Sequence, residues 1–255
     1  MHIFLINLDR RPDRLASMCA QLSCHKLSFV RIAAVDGAAY RAAVPGQRLS
    51  NSEIACHRSH RACWKQLAEI GEPYALILED DLVLSARFGE FLRKPNYFPA
   101  DADLIRLEPT RLGARLAKRR FATPCGIAIH RLFSSQFFTG AYIISAETAK
   151  KLLRNDLSNE IPVDILLFTL ATRAENSRHN FVVYQAVPAP STQRMLCPDY
   201  GGSSAIAISD VEHSPLQRAP RSSRPPAAVA LIKDILRRPY LLLRGVQDGI
   251  VGFDI

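Results

Sequence analysis

The amino-acid sequence predicts an α/β fold in which a mixed, mostly parallel central sheet is flanked by helices. Short apolar runs alternate along the chain with segments of helical periodicity, which is typical of strands that are connected by helices. The run at residues 74–78 (YALIL) lacks any polar alternation, as expected of a central parallel strand that is buried on both faces. The 255 residues are enough for one large domain with a substantial core.

The predicted elements are bounded by start and stop signals. The helix at residues 50–70 has the clearest boundaries, because Ser50 and Glu53 match a capping box and Gly71 can end it. Pro12 and Pro162 are expected to open two further helices, the second of which runs to residue 172. The remaining predictions are strands at residues 3–8, 28–33, 74–78, 104–107, 140–145 and 181–187, and a helix at residues 146–154.

The composition changes near residue 209. The predicted units are a domain at residues 1–209, a linker rich in Pro, Ser and Arg at residues 210–226, and a basic amphipathic, helical C-terminal tail at residues 227–255. In the tail, Leu231, Ile232 and Ile235 form an apolar stripe beside basic residues, which suits the surface of an anionic membrane. Docking of this helix on the domain is the alternative. Deletion from Ala227 onward is expected to leave a folded domain that no longer binds anionic vesicles.

Composition and charge narrow the classes of function. The net charge of +9 favours anionic partners such as nucleotide phosphates. Nucleic acid is not expected, because the basic residues are dispersed and lack interleaved aromatic residues or a known motif. The six cysteines form no CxxC pair, and the seven-residue spacing of Cys56 and Cys63 on one predicted helix suggests buried thiols rather than a disulfide or a zinc site. We therefore expect a reducing compartment. Since no run reaches the ~18 apolar residues of a membrane span, and the N-terminal run is too short for a signal peptide, we expect a soluble or peripheral protein.

Three consecutive carboxylates, Glu79, Asp80 and Asp81, directly follow the apolar run YALIL. Ligands of open α/β sheets collect at the carboxyl ends of strands. Because side chains alternate along an extended segment, Glu79 and Asp81 can share a face while Asp80 points elsewhere. A divalent cation would remove the repulsion between these carboxylates, and hard oxygen ligands suit Mg²⁺ or Mn²⁺. A solvated acidic turn is the alternative.

One stripe of the longest predicted helix carries Glu53, His57, His60 and Trp64, which are spaced four, three and four residues apart. Together with the adjacent Ser59, this stripe could bind phosphate or orient a sugar by hydrogen bonding and stacking. Alternatively, the two histidines are satisfied residues of the core, and Glu53 serves only the helix cap.

The turn between the first strand and the first helix is basic. Strand-to-helix loops present backbone N–H groups and a positive helix end to anions, and Arg10, Arg11 and Arg14 add positive charge there. Ordinary surface ion pairs with Asp9 and Asp13 are the alternative.

Taken together, these segments resemble glycosyltransferase family 25. The patterns INLDRRPDR, EIACxxSHxxxW and ALILEDD occur in the family's order. The likeness continues through Gly140-Ala141-Tyr142 and Ile161-Pro162-Val163-Asp164 to residue 205. The family includes lipooligosaccharide β-galactosyltransferases of Gram-negative bacteria and the collagen galactosyltransferase domain.

The resemblance implies a GT-A type fold and the inverting transfer of a hexose, usually galactose, from a UDP-sugar. The implied acceptor is lipopolysaccharide, lipooligosaccharide or another surface glycan, which places the protein in the cytoplasm, peripheral on the inner face of the bacterial inner membrane. Mn²⁺ or Mg²⁺ is the implied cofactor, with Glu79 and Asp81 as its ligands. The implied donor-binding residues are Asn7, Leu8, Asp9, Arg14, Glu53, Ser59, His60 and Asp80.

Inverting transfer also requires a carboxylate that takes the proton of the acceptor hydroxyl, while the cation neutralises the departing diphosphate. Asp164 is the predicted base, because it follows Pro162 at a helix start where it can face a cleft. Asp81 is the second residue predicted to be catalytic. The alternative for Asp164 is a carboxylate that only favours the helix dipole.

Other function classes stay open at this point. Clustered carboxylates and basic turns also suit a metal-dependent phosphohydrolase or nucleotidyltransferase, and the charge leaves a nucleic-acid-binding protein as a weaker alternative. A glycosyltransferase-like protein without activity is the third. The basic interval at residues 108–138 and the segment after residue 187 depart from the family pattern, and we expect them to shape the acceptor site.

Overall fold

The computed structural model describes residues 1–40, 48–93, 98–110, 113–170, 181–197 and 245–254. In this part of the chain the strands are β1 His2–Asn7, β2 Val30–Ala33, β3 Tyr74–Glu79, β4 Leu82–Leu84, β5 Leu104–Arg106, β6 Ala114–Phe121, β7 Ala128–Leu132, β8 Ala141–Ser145, β9 Val183–Val187, β10 Ser191–Gln193 and β11 Val246–Gly249. The α-helices are α1 Pro12–Cys24, α2 Asn51–Ile70, α3 Phe88–Leu92 and α4 Ala146–Leu153.

Nine of these strands form one sheet in the order β11-β6-β7-β9-β5-β8-β3-β1-β2. Strand β1 is parallel to β2 and β3, and β5 is parallel to β9, whereas the other neighbours are antiparallel. Tracing these pairings, β1, β2, β3, β5, β6 and β9 run in one direction, and β7, β8 and β11 run in the other. The predicted mixed, mostly parallel sheet is therefore confirmed. The carboxyl ends of β1, β3 and β5 lie at the same edge as the amino end of β8.

Helices cover the sheet on both faces, as predicted. Within β1, Phe4 packs into the cluster that holds Trp64 of α2, and the next residue, Leu5, packs into the opposite cluster with Met18 of α1. Residues 75–78 of β3 are likewise fully buried and alternate between the two clusters, which confirms the expected central strand. Among the described residues, no helix combines the length and apolar composition that are needed to cross a membrane.

The predicted ends of α2 are confirmed. Ser50 accepts a hydrogen bond from the Glu53 backbone N–H, and the Glu53 side chain accepts one from the Ser50 backbone, so that the capping box is complete. Gly71 ends the helix with a φ of 79°, in the left-handed region that favours glycine.

Gly71→Ala is expected to lower the free energy of unfolding by about 1 kcal/mol, because a Cβ is strained at this φ. No atom lies within 4 Å of the added Cβ, so the cost comes from the backbone alone. Chemical denaturation measures it, with Gly113→Ala as the control, since that glycine also has open space but no positive φ. Equal effects of the two substitutions would contradict this explanation.

One region contains strands for which no prediction was made, and one predicted helix differs in type. The basic interval at residues 108–138 contains the antiparallel pair β6–β7, whose exposed residues include Lys118, Arg119, Arg120 and Arg131. The helix predicted at residues 162–172 appears at Ile165–Leu170 as a π-helix, and residues 171 and 172 lie outside the described residues.

The predicted C-terminal tail is wrong for residues 245–254. Strand β11 pairs with β6 at the edge of the sheet, Val251 is buried, and the Arg87 Nε atom lies 2.9 Å from Asp254 Oδ2. Backbone pairing and the ion pair between the buried Asp254 and the partly exposed Arg87 therefore attach this segment to the domain. Deletion from Ala227 onward would remove an edge strand, so a test of the basic segment must retain residue 245 and those beyond it. The predicted linker and the helix at residues 227–238 lie outside the described residues.

Candidate active site

Four segments bring polar side chains to one edge of the sheet. Asn7 and Glu79 end the adjacent parallel strands β1 and β3, and Glu108 follows β5. Because β8 runs in the opposite direction, Thr139 at its amino end reaches the same edge. The expected gathering of ligand-type residues at strand ends is thus present.

Asp80 points toward the loop between β1 and α1. The Asn7 Nδ2 atom donates a hydrogen bond to Asp80 Oδ2 at 2.6 Å, and Arg14 Nη1 donates to Asp80 Oδ1 at 3.3 Å. The same Arg14 nitrogen lies 3.9 Å from Asp81 Oδ2. Asp80 therefore fixes the positions of Asn7 and Arg14. Asp80 and Asp81 lie in the turn between β3 and β4, so the alternation expected of an extended segment does not apply to them.

Glu79 is held by two donors on neighbouring elements. His60 Nε2 lies 3.1 Å from Glu79 Oε1, and the Thr139 hydroxyl donates to the same oxygen at 2.9 Å. Burial alone would raise the pKa of Glu79, but the hydrogen bonds from His60 and Thr139 and the charge of Arg14 bring it below its usual value. The Glu79 carboxylate is therefore ionised, and the hydrogen bonds of His60 and Thr139 to its Oε1 atom fix its orientation.

The pKa values of Asp81 and Glu108 are raised, in contrast to that of Glu79. Burial, and then the charge of Glu79, raise the pKa of Asp81 to about 7. Burial raises the pKa of Glu108 to about 8, although Arg106 opposes the shift. Asp81 Oδ1 and Glu108 Oε1 are buried without a hydrogen-bond partner among the described residues. A group of carboxylates with unsatisfied oxygens fits a hard divalent cation, which would supply the missing contacts and relieve the repulsion.

A hydrogen-bond chain orients His60. Trp64 Nε1 donates to the Tyr142 hydroxyl at 3.0 Å, and that hydroxyl lies 2.9 Å from His60 Nδ1. Because an indole can only donate, the Tyr142 oxygen accepts from Trp64 and its own proton is available to His60 Nδ1. This assigns the imidazole proton to Nε2, which faces the Glu79 carboxylate.

The remaining residues of the α2 stripe make mostly internal contacts. His57 Nδ1 lies 2.8 Å from the Ile161 carbonyl oxygen, and burial lowers the pKa of His57 to about 4, so this residue is a neutral histidine of the core. Ser59 Oγ donates to the Ala55 carbonyl and accepts from the Val35 backbone N–H. It thereby holds the segment after β2 against α2, and a direct contact of Ser59 with the donor stays a prediction.

Asp164 lies close enough to Glu53 and Glu79 for their charges to act on its carboxyl group. Its Oδ1 accepts a hydrogen bond from the Ile165 backbone N–H at 2.7 Å, and its Oδ2 accepts one from the Phe138 backbone N–H at 3.4 Å. Burial raises the pKa of Asp164, and the charges of Glu53 and Glu79 add to the shift. Its side chain is oriented by two segments and remains partly exposed.

In the amino-terminal turn, Asn7 is the residue that connects to the site. Its Oδ1 accepts a hydrogen bond from Arg31 Nε at 3.0 Å, and Arg31 also pairs with the exposed Asp9. The Leu8 carbonyl accepts from the Arg11 backbone N–H at 2.9 Å at the start of α1. Asp9 and Leu8 shape the turn, and their contact with a donor stays a prediction.

Comparison with known proteins shows the family of this chain. The family model described as "Glycosyltransferase family 25 (LPS biosynthesis protein)" matches residues 1–167, which is more than half of the chain. The chain belongs to glycosyltransferase family 25. The matched region contains every residue that was assigned to the site from the sequence.

Among relatives in glycosyltransferase family 25, procollagen galactosyltransferase 1 of Danio rerio is 29% identical over 188 residues, which cover 65% of this chain and 30% of the relative. The lacto-N-neotetraose biosynthesis glycosyltransferase LgtB of Neisseria meningitidis serogroup B is 28% identical over 177 residues, covering 66% and 63%. The matches thus span less than two thirds of these relatives. A solved glycosyltransferase involved in glycosylation of the major capsid of PBCV-1 aligns with a TM-score of 0.43 and 12% identity over 75% of this chain and 91% of that one.

Several residues at this family 25 site were not identified from the sequence. Glu108 follows a buried strand in the same way as Glu79, so the rule applied to the acidic triplet could have found it. Thr139 and Arg31 carry no such local signal, and Tyr142 was named only as part of the family pattern, because the roles of these residues depend on which strands become neighbours.

Proposed function

We propose that this family member is an inverting glycosyltransferase that transfers galactose from UDP-galactose to a lipopolysaccharide, lipooligosaccharide or other surface glycan. The observation that carries the proposal is Asp81, next to Glu79 at the carboxyl edge of the sheet: its Oδ1 atom is buried without a hydrogen-bond partner among the described residues, and the Arg14 cation lies 3.9 Å from its Oδ2 atom. The names of the procollagen galactosyltransferases of Danio rerio and Homo sapiens support galactose as the sugar.

In the proposed mechanism, Glu79 and Asp81 would hold Mn²⁺ or Mg²⁺, and the cation would neutralise charge on the departing diphosphate. Arg14 adds a fixed positive charge on the same side, and Asp80 keeps that charge in place through its hydrogen bond. Asn7 fixes the turn between β1 and α1 next to the proposed nucleotide site, because its amide group accepts a hydrogen bond from Arg31 and donates one to Asp80. His60 keeps the carboxylate of Glu79 oriented, as its proton is directed to Oε1.

Asp164 is the proposed general base. The acceptor oxygen forms a bond to the anomeric carbon as the bond between that carbon and the diphosphate oxygen breaks, and the hydroxyl proton passes to the Asp164 carboxylate. Its raised pKa makes this carboxylate a better proton acceptor than an exposed aspartate. Attack from the side opposite the leaving diphosphate inverts the anomeric configuration.

An acceptor at an anionic membrane agrees with the charge distribution. The exposed basic residues of β6 and β7 add to the net charge of +9, and six free thiols suit a reducing compartment. We therefore place the protein in the cytoplasm, peripheral on the inner face of the inner membrane, where a lipid-linked glycan would be presented.

A donor screen tests the proposed function. Thermal unfolding is measured with UDP-, GDP- and CMP-sugars, each with Mn²⁺ and with a chelator, and product formation with a lipooligosaccharide acceptor follows. We expect the unfolding midpoint to rise with UDP-galactose and Mn²⁺ only, and UDP to be released in step with galactose incorporation. Release of inorganic phosphate without incorporation would instead support the phosphohydrolase alternative, and no turnover with any donor would support an inactive family member.

A further inference from the structure

Next to the carboxylate pair lies a second set of metal-ligand side chains. Cys56 and His60 are four residues apart on α2, so their side chains lie on one face of the helix. Glu79 ends β3 beneath that face. The Cys56 Sγ atom, a His60 ring nitrogen and a Glu79 carboxylate oxygen all lie within 4.8 Å of one another.

These three ligands differ in kind from those of the proposed catalytic cation. A thiolate, an imidazole and a carboxylate form a typical ligand set for Zn²⁺, and three protein ligands leave a fourth position open. Mg²⁺ and Mn²⁺ favour oxygen ligands, whereas a thiolate favours zinc. Tetrahedral zinc with normal bond lengths needs its ligand atoms roughly 3.3–3.6 Å apart. His60 Nε2 and Glu79 Oε1 are already 3.1 Å apart. To bring all three ligand atoms to the separations of a zinc site, the Cys56 side chain would have to move by about 1 Å.

The surroundings also favour a cation at this position. The Cys56 thiol is partly buried, and burial and the carboxylates of Glu79, Asp164, Asp81 and Glu53 raise its pKa. The same negative charges attract a divalent cation, which would displace the thiol proton. The Tyr142 hydroxyl oxygen has a second lone pair, which can accept a hydrogen bond from His60 Nδ1. The imidazole can therefore change to the tautomer that carries its proton on Nδ1, which leaves Nε2 available to bind a metal ion without a change in ring orientation.

We infer that Cys56, His60 and Glu79 form a binding site for Zn²⁺ or a cation of similar affinity for sulfur, and that its occupation inhibits the transferase. Inhibition follows because the bound zinc would draw Glu79 away from the catalytic cation and place a second positive charge beside it. The binding statement stands on the geometry of the three side chains, and only the inhibition rests on the proposed function.

Cobalt(II) provides a direct measurement of binding. Co²⁺ in place of zinc gives a thiolate-to-metal absorption band, which we expect when the intact chain is titrated with Co²⁺ and which Zn²⁺ should abolish. Cys56→Ser is expected to remove the band. Cys19→Ser is the matched control, because Cys19 is also a partly buried helical cysteine but belongs to α1. If Cys56→Ser unfolds, Cys56→Ala replaces it, and circular dichroism verifies the fold of each variant.

The inhibition is measured on galactose transfer at saturating Mn²⁺ over a series of Zn²⁺ concentrations. Cys56→Ser should retain activity in Mn²⁺ and require at least about tenfold more Zn²⁺ for half inhibition than the intact chain or Cys19→Ser. A Co²⁺ band that is absent, or that persists in Cys56→Ser, would overturn the site. Equal zinc sensitivity of all three proteins, or activation by zinc, would overturn the regulatory role. A clear Co²⁺ band in a chain without transferase activity would overturn the proposed function and leave the binding site standing.

Discussion

Asp81→Asn is expected to lower galactose transfer at saturating Mn²⁺ by on the order of 10³-fold, because several kcal/mol of stabilisation from the cation depend on its carboxylate ligands. The fold should persist, since the substitution removes a buried charge that Glu79 repels. The rate of Mn²⁺-dependent UDP release measures the loss. The thermal unfolding midpoint should be unchanged or higher than that of the intact chain.

A series of isosteric substitutions separates the roles within the acidic triplet. Glu79→Gln is expected to approach the loss seen for Asp81→Asn, whereas Asp80→Asn should lose less, because Asp80 contacts Asn7 and Arg14. Asp248→Asn is the matched control, since Asp248 is exposed on β11 at the opposite end of the sheet. Small and equal losses at all three triplet positions would contradict the assignment of the cation site.

Asp164→Asn is expected to reduce the turnover number by about 10²–10⁴-fold, which is the usual contribution of a general base. The affinity for UDP-galactose should be nearly unchanged, since the base acts on the acceptor hydroxyl. Asparagine keeps an oxygen that can accept from the Ile165 backbone N–H, so the local structure should hold. Steady-state kinetics give the turnover number, and calorimetry with UDP-galactose and Mn²⁺ gives the donor affinity.

Asp156→Asn provides the comparison for this residue, because Asp156 is an exposed aspartate near the same segment and pairs with Arg61 at 3.6 Å. Its turnover should match that of the intact chain. A variant at Asp164 that loses donor affinity yet turns over normally at saturation would show that Asp164 binds the donor and is not the base.

Those parts of the fold that bury residues on both faces were predictable from the sequence. Residues 75–78 enter the two cores alternately, which produces an unbroken apolar run, and Ser50 and Gly71 mark the ends of α2 by local chemistry. Strands β6 and β11 gave no such signal. They lie at the outer end of the sheet, where exposed residues interrupt the apolar pattern and pairing is made by the backbone.

The site was predictable to the extent that its chemistry is local in sequence. The acidic triplet stands out because it follows a strand immediately, and the structure places it at the edge that this position implies. The relation of His60 to Tyr142 and of Glu79 to Thr139 depends on β8 lying beside β3, and sequence spacing does not report strand order. The closeness of Cys56 to Glu79 likewise depends on how α2 packs on the sheet.

The attachment of β11 changes how the segment at residues 198–244 can act on the domain. The segment leaves beside the acidic triplet, where the Arg194 backbone N–H donates to the Asp81 carbonyl oxygen, and it returns at Gly245, whose carbonyl accepts from Lys118 at the far end of the sheet. A chain held at two separated points resists rotation, whereas a single tether lets the domain tumble. If the basic stretch of this segment adheres to a bilayer, the domain is connected to that contact at both residue 197 and residue 245, so it cannot turn freely about a single connection.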